Sequence, residues 1–145
     1  MDEFERILGE VYDCAVNPDL WPQTLERIRG HLGCAYVMFG YADLSLPKSD
    51  GVPMQQLRST KWDEAWFKKL EPWLNRIPGI NAYWRGGVDV PWVQMDYFGE
   101  ADFHKTDFYQ EWVRPQRLRD CLNIAYYNRK VLLGSFSLKT SEDAP

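Results

Sequence analysis

The segment from Phe4 to Val16 carries the clearest hydrophobic pattern in the chain. Its apolar residues recur at the three- and four-residue spacing of one helical face, and charged residues occupy most of the other positions. The apolar positions are Phe4, Ile7, Leu8, Val11, Tyr12, Ala15 and Val16. Asn17-Pro18 ends this helix, because proline disfavours helical geometry in the residue before it. A second helix is predicted to start between Pro18 and Pro22 and to end at Gly33.

Strand patterns follow in the middle and at the end of the chain. Residues 34–41 are β-branched and aromatic with few charges, which predicts a strand. Residues 43–60 contain the prolines, serines and glycine of a long loop, with a short edge strand expected at Met54 to Arg58. Near the end, two alternating segments joined at Asn128-Arg129-Lys130 predict a hairpin. Their same-face residues are Leu122, Ile124 and Tyr126 in the first, and Leu132, Gly134, Phe136 and Leu138 in the second.

Two further helices and one more strand complete the predicted elements. Aromatic residues at helical spacing predict a helix from Trp62 to Asn75, and Thr106 is placed to cap another that Pro115 ends. A short strand is predicted between Val88 and Val93. The terminal hairpin and the long loops favour an antiparallel sheet over a parallel one. We therefore predict an α+β fold, with a central antiparallel sheet flanked by helices in a single domain covering residues 1–145.

Composition narrows the class of protein. The chain has 145 residues, 45% of them hydrophobic and 26% charged, which is the balance of one globular domain. No apolar run is long enough to span a membrane, and the acidic N-terminus lacks the features of a secretion signal. We therefore expect a cytoplasmic protein with no membrane partner. The net charge of −4 argues against a chain that itself binds nucleic acid.

The residues that usually carry catalysis or bind metals show no recognisable pattern. Cys14, Cys34 and Cys121 lie far apart, so neither a disulfide framework nor a zinc site is expected. The two histidines, His31 and His104, belong to no nucleophile–base motif, and His104 is expected to be exposed. We expect no catalytic residue, no metal and no cofactor, and hence a protein that is not an enzyme.

Aromatic residues are the best candidates for a binding site. They make up 15% of the chain and include seven tryptophans. Ligand sites are mostly apolar, with a few polar groups such as indole N–H that orient the ligand. The candidate ligand-binding residues are Tyr36, Trp62, Trp66, Trp73, Trp84, Trp92 and Tyr109. The alternative is that these rings simply fill the core, as large rings usually do.

Three motifs, in this order, resemble a known family. The first is Tyr12-Asp13-Cys14-Ala15 followed by Asn17-Pro18-Asp19-Leu20-Trp21-Pro22, the second is Glu71-Pro72-Trp73, and the third runs from Thr106-Asp107-Phe108-Tyr109 to Pro115. Together they resemble the N-terminal sensor region of LuxR-type helix-turn-helix transcription regulators. The resemblance implies a GAF/PAS-like sensor fold and a role in signal transduction.

The chain departs from that family in two ways. Related acyl-homoserine-lactone receptors use Trp-x3-Tyr-x8-Asp-Pro, whereas here Trp62-x3-Trp66 is followed after four residues by Glu71-Pro72. The family's DNA-binding half is also missing, although Ser141 and the acidic residues after it are typical of a helix start. We expect an excised sensor domain that contacts DNA only through a missing C-terminal domain.

Two hypotheses for function remain open at this level. In the first, the chain is the small-molecule-sensing domain of a LuxR-type regulator, which binds a largely apolar or acyl-type ligand and forms a homodimer. The apolar face of the first helix is long enough to pack on the sheet or on a partner. In the second, the chain is a ligand-free dimerisation or protein-interaction module with a solid aromatic core.

Overall fold

The computed structural model describes residues 2–43, 54–58, 61–74, 76–129 and 132–143. Helix α1 spans Glu3–Val16, and Asp2 caps its first turn through a reciprocal hydrogen-bond pair with Glu5. A short 3₁₀ turn, Pro18–Leu20, leads into α2, Trp21–Leu32. Gly33 ends α2 with φ 63°, the left-handed conformation that glycine adopts at no steric cost. The predicted ends of both helices are confirmed.

Helix α1 packs on α2, but this contact buries little of the apolar face predicted for α1. Cys14 is buried beside Thr24 of α2, with 3.2 Å between Sγ and Oγ1, and Arg27 pairs with Glu10 at 2.9 Å. Of the predicted apolar positions only Ile7 is buried. The large side chains left exposed follow one another four residues apart: Phe4, Leu8, Tyr12 and Val16. This stripe has no partner among the residues that the structure describes.

Five strands form one antiparallel sheet. They are β1 (Tyr36–Asp43), β2 (Met54–Arg58), β3 (Pro91–Val93), β4 (Leu118–Arg129) and β5 (Leu132–Ser141), in the spatial order β2-β1-β5-β4-β3. Every neighbouring pair is antiparallel. With helices packed against the sheet, the predicted α+β class is confirmed.

Several predicted strand boundaries need correction, among them those of the strand predicted at 34–41, which spans Tyr36–Asp43. Strand β3 starts only at Pro91, because Asp89 adopts a positive φ of 61° that is incompatible with extended backbone. Asn128 and Arg129 belong to β4 rather than to the hairpin turn, and Lys130 lies outside the described residues. Ser141, predicted to start a helix, is the last residue of β5, where pairing with Leu118 keeps it extended. The predicted loop at 44–53 also lies outside the described residues.

Short helices cover one face of the sheet. They are α3 (Glu64–Leu70), α4 (Ile80–Arg85), α5 (Gln94–Phe98), α6 (Glu100–Phe103) and a π-helical turn at Tyr109–Val113. The predicted helix 62–75 is therefore shorter, since Pro72 converts its end to a 3₁₀ turn at Glu71–Trp73. Thr106 accepts a hydrogen bond from the Tyr109 N–H at 3.2 Å, which confirms its capping role. Pro115 lies inside a following 3₁₀ turn, Arg114–Gln116.

Helix α2 covers the opposite face of the sheet with apolar contacts. Leu25 and Val37 are fully buried there, and Trp21 stacks on Phe39 with 4.7 Å between ring centroids. Phe136 and Leu138 of β5 join this cluster, as the hairpin pattern predicts. We call the face that α2 covers the outer face and the face that the short helices cover the inner face.

Candidate functional site

The inner face lies beneath an aromatic cluster drawn from several separate parts of the chain. Trp62 stacks on Tyr36 of β1 at 5.1 Å and meets Trp112 of the π-helical turn edge-on at 5.9 Å. Phe108 stacks on Trp112 at 5.3 Å and contacts Trp73 edge-on at 5.4 Å. These geometries are the offset and edge-to-face arrangements that aromatic rings favour. The cluster is therefore a packed layer with the sheet as its floor.

Two indole N–H groups of this cluster are already used by the protein. Trp62 donates to Gln116 Oε1 and Trp112 donates to the Trp66 carbonyl, each at 3.0 Å. Trp66 and Trp73 are half-buried and lie beneath cations, with Lys69 Nζ 4.3 Å from one ring and Arg76 Cζ 4.6 Å from the other. The tryptophans on this side of the cluster are held by partners of their own.

The floor beneath these rings is polar, which the aromatic pattern does not indicate. Cross-strand pairing sets Lys139 of β5 between Tyr36 of β1 and Cys121 of β4. The next pairs along the strands join Ser137 to Asn123 and Asn123 to Trp92 of β3. Because directly paired residues of a sheet point to the same side, these side chains share the inner face.

Hydrogen bonds connect the floor into one network. Lys139 donates to Cys121 Sγ, and Cys121 in turn donates to Asn123 Oδ1 at 3.3 Å. Ser137 donates to the same Asn123 oxygen at 2.6 Å. Lys139, Cys121 and Ser137 are each at most 7% exposed. A buried network of this kind holds its members in one geometry.

Tyr83 of α4 extends the polar floor as far as Ser135. Its hydroxyl lies 2.8 Å from Ser135 Oγ on β5. Burial raises the pKa of Tyr83 to about 12, and the hydrogen bond with Ser135 opposes that shift only in part. The phenol is therefore a neutral hydrogen-bonding group at this end of the site.

Trp92 presents a hydrogen-bond donor with nothing to bind. Its indole Nε1 is buried and is the one buried side-chain nitrogen or oxygen left unpaired within the described part of the chain. The ring lies against Gly79, where φ is 80° and an added Cβ would come within 2.6 Å of Trp92 Cζ2. Tyr83 and Tyr97 flank it at 5.7 and 5.8 Å. Buried donors are rarely left unpaired, so this one calls for an acceptor.

The structure divides the predicted site residues into two groups. Five of them, Tyr36, Trp62, Trp66, Trp73 and Tyr109, belong to the aromatic cluster or pack against it. Trp84 and Trp92 lie apart from that cluster, both in ring contact with Tyr83. The reason is that α4 carries Trp84 and the edge strand β3 carries Trp92, both at the other end of the inner face.

One residue expected to be exposed contributes to the site. His104 is half-buried and stacks on Tyr109 with 4.2 Å between ring centroids. The prediction that His104 is exposed was wrong, because the turn after α6 folds it back onto the ring. Tyr109 also meets Phe103 edge-on at 5.4 Å, so its own ring is sandwiched.

The polar residues of the floor are what sequence reasoning missed. Ser135, Ser137 and Lys139 alternate in β5 with Phe136 and Leu138, a period-two pattern that usually indicates one solvated face. Here the face with the polar residues is covered by helices instead. The signal that could have found them is this strand together with β4, where Cys121 and Asn123 alternate with Leu122 and Ile124.

A carboxylate stands at the end of the floor next to α5. Asp120 Oδ1 accepts the backbone N–H of Cys121 at 2.6 Å and of Met95 at 3.4 Å. The pKa of Asp120 is raised above its usual value, because burial outweighs these two hydrogen bonds and the charge of Lys139, which oppose the shift. Its hydrogen bonds to the main chain indicate a structural role in joining α5 to β4.

Other site classes gain no support from the geometry. Over the described ranges, no group of three or more histidine, cysteine or acidic side chains is placed to hold a metal ion. All three cysteines are free and buried. None of the helices described has both the length and the apolar character needed to cross a bilayer.

Comparison with solved structures identifies the fold. Escherichia coli SdiA superposes with a TM-score of 0.67 at 13% identity, over 99% of this chain and 58% of that one. CepR2 of Burkholderia cenocepacia, an N-acylhomoserine lactone dependent LuxR family transcription factor, superposes at 0.61 with 18% identity, over 96% and 80%. The chain has the fold of LuxR-type ligand-binding domains.

The structure is also similar to a GAF domain. The GAF domain of the cyanobacteriochrome TePixJ superposes with a TM-score of 0.50 at 16% identity, over 87% of this chain and 73% of that domain. The predicted GAF-like architecture is thereby confirmed. No protein-family model matches the chain, and no curated protein sequence matches it either. The chain spans a little over half the length of SdiA, which has also been solved in complex with octanoyl-rac-glycerol.

The acid Glu71 of the segment from Trp62 to Pro72 lies at the surface. Glu71, the acid that follows Trp66, is exposed in the 3₁₀ turn after α3. It does not join the aromatic cluster, and the inner face carries its polar groups on β4 and β5 instead.

Proposed function

We propose that this chain is the sensing domain of a LuxR-type transcription regulator and binds a small, largely apolar or acyl-type ligand at the inner face. The observation that carries the proposal is the buried Trp92 N–H without a partner. A ligand oxygen at that position would satisfy it, and the surrounding rings supply the apolar contact area. The shared fold with CepR2 and with SdiA, the latter solved with octanoyl-rac-glycerol, supports the same conclusion.

The domain acts in this proposal without catalysis, in the cytoplasm. Its ligand favours one of two conformations and thereby shifts the activity of an attached DNA-binding domain. The ligand-binding residues we propose are the predicted set Tyr36, Trp62, Trp66, Trp73, Trp84, Trp92 and Tyr109, of which Trp92 supplies the free donor.

Native mass spectrometry of the purified protein, followed by a denaturing run, tests for a bound ligand. We expect an extra mass that is lost on denaturation. Octanoyl-rac-glycerol then serves as a defined probe in calorimetric titration. Trp92→Phe removes the free N–H and should weaken binding about 10-fold, the effect of one lost hydrogen bond.

The matched control for that titration is Trp21→Phe. Trp21 stacks on Phe39 at the outer face, so the same chemical change there should leave binding unaltered. A clean mass in native spectra together with no heat of binding would favour the alternative, a ligand-free interaction module with a solid aromatic core.

We also propose that the domain forms a homodimer through α1. The stripe of Phe4, Leu8, Tyr12 and Val16 is between 45% and 89% exposed, and contiguous apolar surface of this kind marks interaction sites. A symmetric dimer buries the same stripe on both copies. Sedimentation of the wild type should show a dimer, and Leu8→Lys with Tyr12→Lys should yield a monomer. A monomeric wild type would refute this part of the proposal.

A further inference from the structure

Lys139 is the one buried charged residue within the described part of the chain. It lies at the centre of the inner face, paired across β5 with Tyr36 on one side and Cys121 on the other. Its ammonium group lies 5.7 Å from the centroid of the Trp112 ring. Burying an ammonium group is unfavourable unless an anion or several acceptors replace the water it loses.

The protein offers Lys139 only weak compensation. The ammonium group has three N–H donors, and the acceptor it meets is the Cys121 sulfur, a weak one. The ammonium group of Lys139 interacts electrostatically with Asp120. Asp120 Oδ1, however, already accepts the N–H groups of Cys121 and Met95. No carboxylate of the described residues lies within 4.0 Å of Lys139 Nζ.

Other lysines of the same chain show that carboxylate partners are used at the surface. Lys105 pairs with Asp102 at 2.9 Å and Lys61 with Glu26 at 3.5 Å, although both lysines are well exposed to water. The lysine with the greatest need for an anion thus has no carboxylate at ion-pair distance, although these exposed lysines do. Its counterion must come from elsewhere.

We propose that the ligand of this domain carries a carboxylate, which pairs with Lys139 beneath the aromatic cluster. The inference rests on the proposed function and specifies the class of its ligand: an amphiphilic carboxylic acid. The carboxylate accepts N–H bonds that the Cys121 sulfur now takes, and the apolar part of the molecule contacts the rings above the floor.

The position of the free Trp92 donor fits the same ligand. Lys139 pairs with Cys121 of β4, and Trp92 pairs with Asn123, two residues further along the same strand. Two strand spacings and two residues of rise separate the Cα atoms of Trp92 and Lys139 by about 12 Å. An elongated acid with its carboxylate at Lys139 therefore extends over Asn123 and Ser137 toward Trp92. A second oxygen on such a ligand would meet the free indole N–H.

Calorimetric titration at pH 8 with a matched pair of probes tests the proposal. The probes are octanoate and its neutral methyl ester, and 4-phenylbutyrate distinguishes an aromatic acid from an alkyl one. We expect the wild type to bind an acid at least 10-fold more tightly than methyl octanoate. Lys139→Met and Lys139→Gln should abolish that preference while still binding the ester. Lys105→Met, a change at an exposed paired lysine, should preserve it.

The outcomes separate this inference from the function on which it rests. Equal affinity of the wild type for acid and ester would overturn the carboxylate assignment but leave a small-molecule sensor. So would a preference that persists in Lys139→Met. No binding of the acids, the ester or octanoyl-rac-glycerol would overturn both proposals. The wild-type ratio decides the matter even if a Lys139 variant fails to fold.

Discussion

The outer face of the sheet carries Val37, Phe39 and Leu138 against Leu25 of α2, while the inner face carries Lys139 and Ser137 beneath Trp112. Both faces are covered by helices, yet only the inner face carries a buried charged side chain among the residues that the structure describes. Apolar burial stabilises a fold without selecting a ligand. Buried donors and charges contribute little to stability, but they can select the groups that pair with them. The contrast separates the half of the domain that maintains the fold from the half that we propose for recognition.

The difference extends to the way each cover is built. Helix α2 is one continuous element of 12 residues, and its packing needs a single apolar row. The inner cover combines helices of four to seven residues with a π-helical turn. Short helices depend on side-chain packing more than on their own backbone hydrogen bonds, because nucleating a helix is costly. The inner cover is therefore held mainly by its packing.

Leu25→Ala should give the largest effect and test the role of the outer face. Leu25 is fully buried, so the free energy of unfolding should fall by about 2–5 kcal/mol in urea denaturation. Leu32→Ala on the same helix removes a 52% exposed side chain and should change it by less than about 0.5 kcal/mol. Similar small losses in both variants would show that the outer face is not the stabilising half.

Lys139→Met should act in the opposite direction when no ligand is present. Replacing a poorly compensated buried charge by an apolar side chain of similar length should leave the free energy of unfolding unchanged or raise it, by up to about 4 kcal/mol. Urea denaturation of ligand-free protein measures this. A clear decrease would mean that Lys139 holds β5 to β4 through Cys121 and serves the fold.

Two tryptophan variants sharpen the comparison within the inner face. Trp112→Phe breaks the bond to the Trp66 carbonyl and should cost about 1–3 kcal/mol of unfolding free energy. Trp92→Phe breaks no bond and should change it by less than about 1 kcal/mol. Equal costs would indicate that the Trp92 N–H is satisfied within the folded protein.

Alkaline titration should give the smallest and most local signal. The pKa of Tyr83 is raised to about 12, so the fold favours its neutral form. The stability that results is present below pH 10, the ordinary pKa of tyrosine, and is lost as the pH rises through about 12. Absorbance of tyrosinate should show a group titrating near pH 12 that Tyr83→Phe removes. A titration unchanged by that substitution would contradict the burial of this phenol at the inner face.

The extent to which the sequence predicted the site differs between its two layers. Aromatic content pointed to seven residues as candidates for a ligand site, and five of them lie in or against one cluster: Tyr36, Trp62, Trp66, Trp73 and Tyr109. The polar floor escaped prediction. Alternation of Ser137 and Lys139 with apolar neighbours reports two faces of a strand, but it does not tell whether the polar face meets water or a helix.

Helix α1 shows a second case in which the sequence pattern does not tell what covers a face. Its amphipathic pattern correctly predicted a helix and its apolar face, yet Phe4 and Val16 are 63% and 89% exposed. The pattern reports that a face avoids water. It does not identify the surface that covers that face.

The sequence by itself determined the first two helices with the break at Asn17-Pro18 between them, the glycine that ends α2 and the presence of the β4–β5 hairpin. These depend on neighbours a few residues apart, where backbone sterics and side-chain period act directly. Only the tertiary structure decided that Tyr36 stands beside Lys139, because that pairing joins strands about a hundred residues apart in the chain. Strand order and register are products of long-range packing, and they are what place a buried charge under the aromatic cluster.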